Sequence, residues 1–230
     1  MSGGHLSVVG DELSGDVAVL VSGGLDSCVL VSELLRGGSR VNPLYLRFGL
    51  AWEAAEQAHL RRFLATLADP RLAPLVVLDA PITGIYGSHW SVSGEKVPDQ
   101  RTADDAVYLP GRNLLLLAQP SVWCALHEVH TIALGTLKGN PFPDSTREFF
   151  DGFSALVRRA MGHWLEVVTP FVNLVKADVV NLGRGLAVEH TFSCIDPQDG
   201  RHCGRCNKCA ERRQAFAALS VEDRTDYVAL

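Results

Sequence analysis

The chain has 230 residues, 47% hydrophobic and 20% charged, with a formal net charge of −5. That balance fits one globular α/β domain, or a domain with an appendage, built on a large core. It argues against a membrane span, since no apolar run approaches about 20 residues, and against tight non-specific nucleic-acid binding, since Lys and Arg form no basic tract. Residues 1–15 lack the basic start and apolar stretch of a secretory leader and read as a flexible, Gly-rich lead-in; a cytoplasmic protein is expected.

Residues 17–21 (V-A-V-L-V) are an apolar strand, and residues 28–35 a mostly buried helix. Between them stands S-G-G-L-D-S: Ser22, Gly23, Gly24, Leu25, Asp26 and Ser27. The glycines let the backbone turn sharply and approach a ligand. The helix start offers unpaired N–H groups and the positive end of its dipole, which together suit an anion such as phosphate. Ser22 and Ser27 add hydroxyl donors. Asp26 would repel phosphate unless a cation lay between them, which points to Mg²⁺. The competing explanation is an ordinary strand–helix turn with Asp26 as a helix cap.

Residues 41–48 predict a second strand, 52–67 an amphipathic helix and 75–78 a third strand, so the order begins βαβαβ, as in a parallel sheet. Residues 79–107 interrupt that alternation as a long insertion; such loops are usually lids or binding loops. Its Tyr86, His89 and Trp90 fit either a planar substrate or anchorage to the domain. Helices are expected over 114–126, 146–162, 176–187 and 207–219, and strands over 129–134 and 165–168.

Three further motifs carry chemistry. Cys194, Cys203, Cys206 and Cys209 are spaced nine, three and three apart. Four thiolates complete a tetrahedral Zn²⁺ site with no open position, hence a structural one; an Fe–S cluster or a redox pair is the alternative. Arg201, Arg205, Lys208 and Arg212 lie close in sequence and can offset its charge. Cys28 and Cys124 fall in apolar helices and read as small core residues. In Pro110-Gly111-Arg112-Asn113, a turn delivers Arg112 and Asn113 to a helix start. Arg offers forked donors to phosphate or carboxylate, and Asn113 either reads a base edge or caps the helix. Finally, Lys176 opens a helix, where a cation opposes the dipole and wants an anionic partner: a triphosphate, Asp178 or another carboxylate.

The S-G-G-L-D-S loop resembles the PP-loop of ATP pyrophosphatases, which transfer AMP to an acid or amide. With Y-L-P-G-R-N, T-P-F-V-N-L-V-K-A-D-V-V-N-L-G and F-S-C…H-C-G-R-C-N-K-C-A-E-R-R-Q-A-F, in this order, the chain resembles the 7-cyano-7-deazaguanine synthase family over residues 17–219. The resemblance implies a doubly wound, mainly parallel five-stranded sheet over residues 16–189 with a small zinc-binding helical appendage over 190–230. It implies ATP, Mg²⁺ and structural Zn²⁺, a small-molecule acid and ammonia as substrates, and a homodimer. It assigns Ser22 to Ser27 to ATP and Mg²⁺, with Gly111, Arg112 and Asn113 beside them, and makes Asp26, Ser27, Arg112 and Lys176 the catalytic set. The acid would be adenylated, converted by ammonia to an amide, and activated again to give the nitrile.

Two stretches depart from the family. Phe48-Gly49-Leu50 and Trp52 stand where it has a Tyr-Gly-Gln-type loop and a His. Residues 135–150 lack its Ser-Gly-Tyr portion, leaving Lys138, Asp144 and Arg147 as weaker candidates for the acid. That altered loop motivates one rival, a ligase passing the activated acid to a different amine, such as one on a protein. A non-catalytic nucleotide-binding protein would need a damaged loop, and this one is intact. A sulfur-transferring tRNA enzyme would want a catalytic Cys pair outside the cluster and a basic surface.

Overall fold

Val17, Ala18 and Val19 are buried on both faces, as a central parallel strand requires. They lie in β1 (Asp16–Leu20), which pairs in parallel with β2 (Arg40–Arg47) and with β4 (Thr131–Ala133). β3 (Val76–Asp79) adds outside β2 and β5 (Glu166–Val168) outside β4, giving the all-parallel order β3-β2-β1-β4-β5. The order reverses between β1 and β4, so a crevice opens at their carboxyl ends, where ligands bind in such sheets. The computed structural model describes residue 13 and residues 15–228. The expected lead-in over 1–15 lies outside the described residues apart from residues 13 and 15.

Alternation along β1 sends side chains to two cores. Val17 and Val19 join α1 (Leu25–Arg36) and α7 (Lys176–Leu182) on one face; Ala18 and Leu20 join α5 (Arg112–Leu126) and α6 (Arg147–Met161) on the other. α2 (Glu53–Thr66) follows β2 and contributes Leu60 and Phe63 to the α1 side. Cys28 and Cys124 are fully buried in these cores. Burial pushes the Cys28 thiol well above its ordinary value and that of Cys124 up to about 12. Both are inert packing residues, as expected.

Three elements differ from the sequence expectation. β4 is three residues long rather than six, although Leu134 N–H still bonds Val168 O. α7 stops at Leu182 rather than residue 187, because the chain turns at Gly183 against α1, where a Cβ would meet Val188 and Val29 at 3.0 and 3.2 Å. The insertion is not one loose loop. It holds α3 (Thr83–Tyr86), α4 (Trp90–Ser93) and a 3₁₀ turn at Asp104–Val107. Trp90 stacks on Trp52 at 5.7 Å, and the Tyr86 hydroxyl donates to Pro110 O. Anchorage therefore accounts for much of its aromatic content.

The C-terminal segment carries α8 (Asn207–Ala218), which packs on α7. Arg212 is fully buried and donates to Thr191 Oγ1, Ser193 Oγ, Thr225 Oγ1 and Val188 O. It ties three segments together rather than serving chiefly to offset thiolate charge. Arg201 pairs with Asp226, Arg205 with Asp196, and Lys208 with Glu211.

Candidate active site and cysteine cluster

The S-G-G-L-D-S loop leaves β1 and folds on itself before α1 starts. Ser22 Oγ accepts from Gly24 N–H at 3.3 Å, and Ser27 Oγ donates to Gly24 O at 3.2 Å. Gly23 has φ +72°, and a Cβ there would lie 2.9 Å from Glu56 O, so only glycine lets the loop settle on α2. Gly135, just after β4, approaches the loop from the other side; its Cβ would meet Asp26 Cβ and Ser27 N at 3.3 Å. The N-cap of α1 is Gly24, without a side-chain cap, so Asp26 is not the capping residue of the competing explanation.

Asp26 Oδ2 accepts from Lys176 Nζ at 2.7 Å. Lys176 also faces Glu211 of α8 at 3.6 Å, and Glu211 takes Lys208 at 2.8 Å. The partner of Lys176 is thus the loop carboxylate, while Asp178 instead accepts the Val175 N–H that opens α7. Burial pulls the Lys176 ammonium down, but Asp26 and Glu211 outweigh it and hold it above its ordinary value. The second oxygen, Asp26 Oδ1, is buried without a partner, and so is Arg112 Nε. A buried, unpaired carboxylate oxygen fits a hard cation, and a buried, unpaired guanidinium N–H fits an anion.

Two cavities meet at this point. One, of about 220 Å³, runs past Leu20, Tyr45, Phe48, Tyr108, Asn113 and Phe142. The other, of about 720 Å³, runs from the loop past Trp52, Trp90, Lys138, Lys176 and Phe192 to Lys208 and Glu211. Ser22, Asp26, Glu56 and Arg112 line both. Asn113 and Asp144 belong to the first cavity, but they hold each other: Asn113 N–H donates to Asp144 Oδ2 at 2.9 Å and Asn113 Nδ2 to Asp144 O at 2.8 Å. Asp144 thus caps α5 with at least one oxygen. Arg147 is not part of either wall; its side chain is 70% exposed and pairs with Asp151 on α6.

Glu56 went unmarked in the sequence. It is buried on α2, and its Oε2 accepts from Tyr45 Oη at 2.6 Å. Burial pushes its carboxyl up to about 7, against bonds from Tyr45 and Trp52 and the charge of Arg112. Its neighbour Glu53 is committed to the backbone, accepting from Phe48 and Gly49 N–H. The two acids one helical turn apart, directly after the carboxyl end of β2, were the available signal.

The cysteine cluster closes the far side of the larger cavity, where Cys194 lies in its wall. The ligand atoms of Cys194, Cys203, Cys206 and Cys209 all lie within 4.8 Å of one another, and all four residues are buried. The peptide N–H groups of Asp196 and Cys203 point at Cys194 Sγ, and those of Arg205 and Cys206 at Cys203 Sγ. These donors suit thiolates, and the arrangement can hold a metal.

Over residues 16–220 the chain matches the family described as Queuosine biosynthesis protein QueC. The chain belongs to this family. Relatives named 7-cyano-7-deazaguanine synthase include those of Mesorhizobium japonicum, 32% identical with 91% of this chain and 92% of that protein covered, and of Pseudomonas fluorescens, at 29%, 91% and 96%. The relative from Sulfolobus acidocaldarius is 30% identical over 93% of this chain, which spans 48% of that longer protein. Among solved structures, a U34-tRNA thiolase from Methanococcus maripaludis with its 4Fe–4S cluster has a TM-score of 0.52 at 12% identity, covering 94% of this chain and 77% of that one. A 4-thiouridine synthetase solved with RNA and bound ATP has a TM-score of 0.50 at 15% identity, covering 90% and 51%. At such identities these two establish the shared fold. Like its QueC relatives, the chain is an enzyme of the PP-loop fold; among the described residues no helix is long and apolar enough to cross a membrane.

Proposed function

We propose that the chain converts 7-carboxy-7-deazaguanine, ammonia and ATP into 7-cyano-7-deazaguanine, AMP and pyrophosphate. The observation that carries this is the junction of the two cavities, where an unpaired carboxylate oxygen of Asp26 and an unpaired guanidinium N–H of Arg112 stand beside the loop. Adenylation needs that pair of charges: a cation between Asp26 and the phosphates, and a donor for the negative charge that grows on the α-phosphate or the acid. Ser22, Gly23, Gly24, Leu25 and Ser27 would receive the phosphates through backbone N–H and hydroxyl groups, and Asp26 would hold Mg²⁺. Arg112 and Lys176 would neutralise the transferring group, with Gly111 and Asn113 fixing the start of α5 on which Arg112 stands. Lys138 remains a candidate for the acid, and Asp144 contributes through the first cavity. Arg147 lies outside this site, because its side chain points to solvent and pairs with Asp151 on its own helix.

Zinc is the metal we assign to the four cysteines. A Zn–S bond of about 2.3 Å gives tetrahedral sulfur–sulfur edges of about 3.8 Å, and Cys194 and Cys206 stand 3.9 Å apart. A cubane cluster binds each cysteine to a different iron and spreads the sulfurs further. The closed four-thiolate set makes the metal structural. A homodimer is the assembly expected from the family.

A site that hydrogen-bonds a substrate edge rejects analogues that leave its buried groups unpaired. Pyrophosphate release from purified protein with MgATP should therefore depend on 7-carboxy-7-deazaguanine at least about 10³-fold more strongly than on benzoate. Equal stimulation by both acids would refute the substrate assignment.

A further inference from the structure

The nitrogen chemistry needs a proton acceptor that the family motifs do not name. Ammonia attacks the acyl adenylate through its lone pair, a C–N bond forms, and the nitrogen becomes positively charged. One N–H proton must leave as the C–O bond to AMP breaks and the amide is released. In the second round the amide oxygen takes the AMP group as pyrophosphate leaves and one N–H proton is lost, giving the imidoyl adenylate; its C–O bond then breaks, the last N–H proton leaves, and the N–H electron pair becomes the third C–N bond. No redox change occurs in either round; the first deposits one proton and the second two on an acceptor beside the α-phosphate.

We propose that Glu56 is that acceptor, a catalytic base at the junction where the two cavities meet. It lines both cavities, as do Asp26 and Arg112. Of the other carboxylates nearby, Asp26 is committed to Lys176, Glu53 to two backbone N–H groups, Asp144 to the start of α5 and Glu211 to Lys176 and Lys208, while Asp105 stands exposed on the 3₁₀ turn rather than buried at the junction. The backbone of Glu56 packs against Gly23, so its place relative to the nucleotide loop is fixed. Tyr45 Oη donates to Oε2 at 2.6 Å and orients the carboxyl. The groups that set its charge are Tyr45 from β2, Arg112 from α5 and Glu53 and Trp52 at the start of its own helix, while Cys28 from α1 faces it as a neutral thiol. Burial dominates among them and brings the carboxyl to about 7, where a base both accepts and returns a proton readily near neutral pH.

The inference rests on the proposed synthase activity, and two readouts separate their failures. Glu56→Gln keeps the size and an oxygen for Tyr45 Oη. Acid-dependent exchange of pyrophosphate into ATP, which needs no proton transfer from nitrogen, should stay within about tenfold of wild type. Nitrile formation should fall about 10²- to 10⁴-fold, the usual contribution of a general base. With the free ammonia concentration held constant as pH is varied, the wild-type rate of nitrile formation should rise through about 7, as the carboxyl ionises; in Glu56→Gln that rise should vanish. Glu56→Asp should recover part of the rate and the pH dependence. Thermal melting and MgATP binding confirm that each variant is folded. Nitrile formation near the wild-type rate, or an unchanged pH limb, overturns the proposal, as does equal loss of exchange and nitrile in a folded variant. No acid-dependent exchange in wild type refutes the synthase activity itself, and the role of Glu56 falls with it.

Discussion

Asp26→Ala should eliminate AMP and pyrophosphate formation, a loss of at least about 10³-fold, as expected when a preorganised charge partner of the transferring group is removed. The carboxylate is the residue of the loop that repels phosphate, and its Oδ1 is buried without a partner. Its Oδ2 is held by Lys176, so the pair is neutral in the absence of nucleotide. Removing Asp26 leaves Lys176 with Glu211 at 3.6 Å. The stability cost should therefore be about 1–2 kcal/mol, less than the 3–5 kcal/mol of stranding a fully buried charge. Circular dichroism should show a folded protein with a slightly lower melting temperature. Wild-type pyrophosphate release from this variant would remove Asp26 from the metal and ATP site.

Cys203→Ser should have the largest effect on stability. Metal binding is folding free energy for a small metal-held segment, and a native-like thiolate set is rarely preformed without the ion. The loss should reach several kcal/mol, with residues near the cluster opening first. It should also reach the active site: α8 carries Cys209 and Glu211, and Glu211 faces Lys176 in the nucleotide site. Elemental analysis of fresh protein should give about one zinc per chain. Iron in place of zinc would reverse the metal assignment, and an unchanged melting temperature in Cys203→Ser would make the cluster dispensable to the fold.

Local signals carried most of the architecture. Apolar β-branched runs at 17–21 and 41–48 became β1 and β2 because parallel strands are buried on both faces and leave continuous hydrophobic runs. The four cysteines were legible because metal spacing is a local property of the chain. What was not legible depends on packing between distant segments. The partner of Lys176 was left open among a triphosphate, Asp178 and another carboxylate, and only the docking of α7 beside the loop selects Asp26. The sequence position of Arg147 makes it a substrate candidate, but the helical phase of α6 turns it to Asp151 and solvent. Glu56 is not legible because a Glu on an amphipathic helix usually faces water; its burial comes from Tyr45 of β2 and Gly23 of the loop packing against it. Trp52, a departure from the family, stacks on Trp90, and together they form part of one wall of the larger cavity.

The altered loop at 136–147 also keeps one rival open, in which the activated acid passes to an amine other than ammonia. The most direct test is mass spectrometry of the products from purified protein, MgATP, ammonium and 7-carboxy-7-deazaguanine. The proposed chemistry predicts 7-cyano-7-deazaguanine, with two AMP and two pyrophosphate per nitrile, because the acid and then the amide are each activated once. Acid-dependent pyrophosphate release without any nitrile would contradict it.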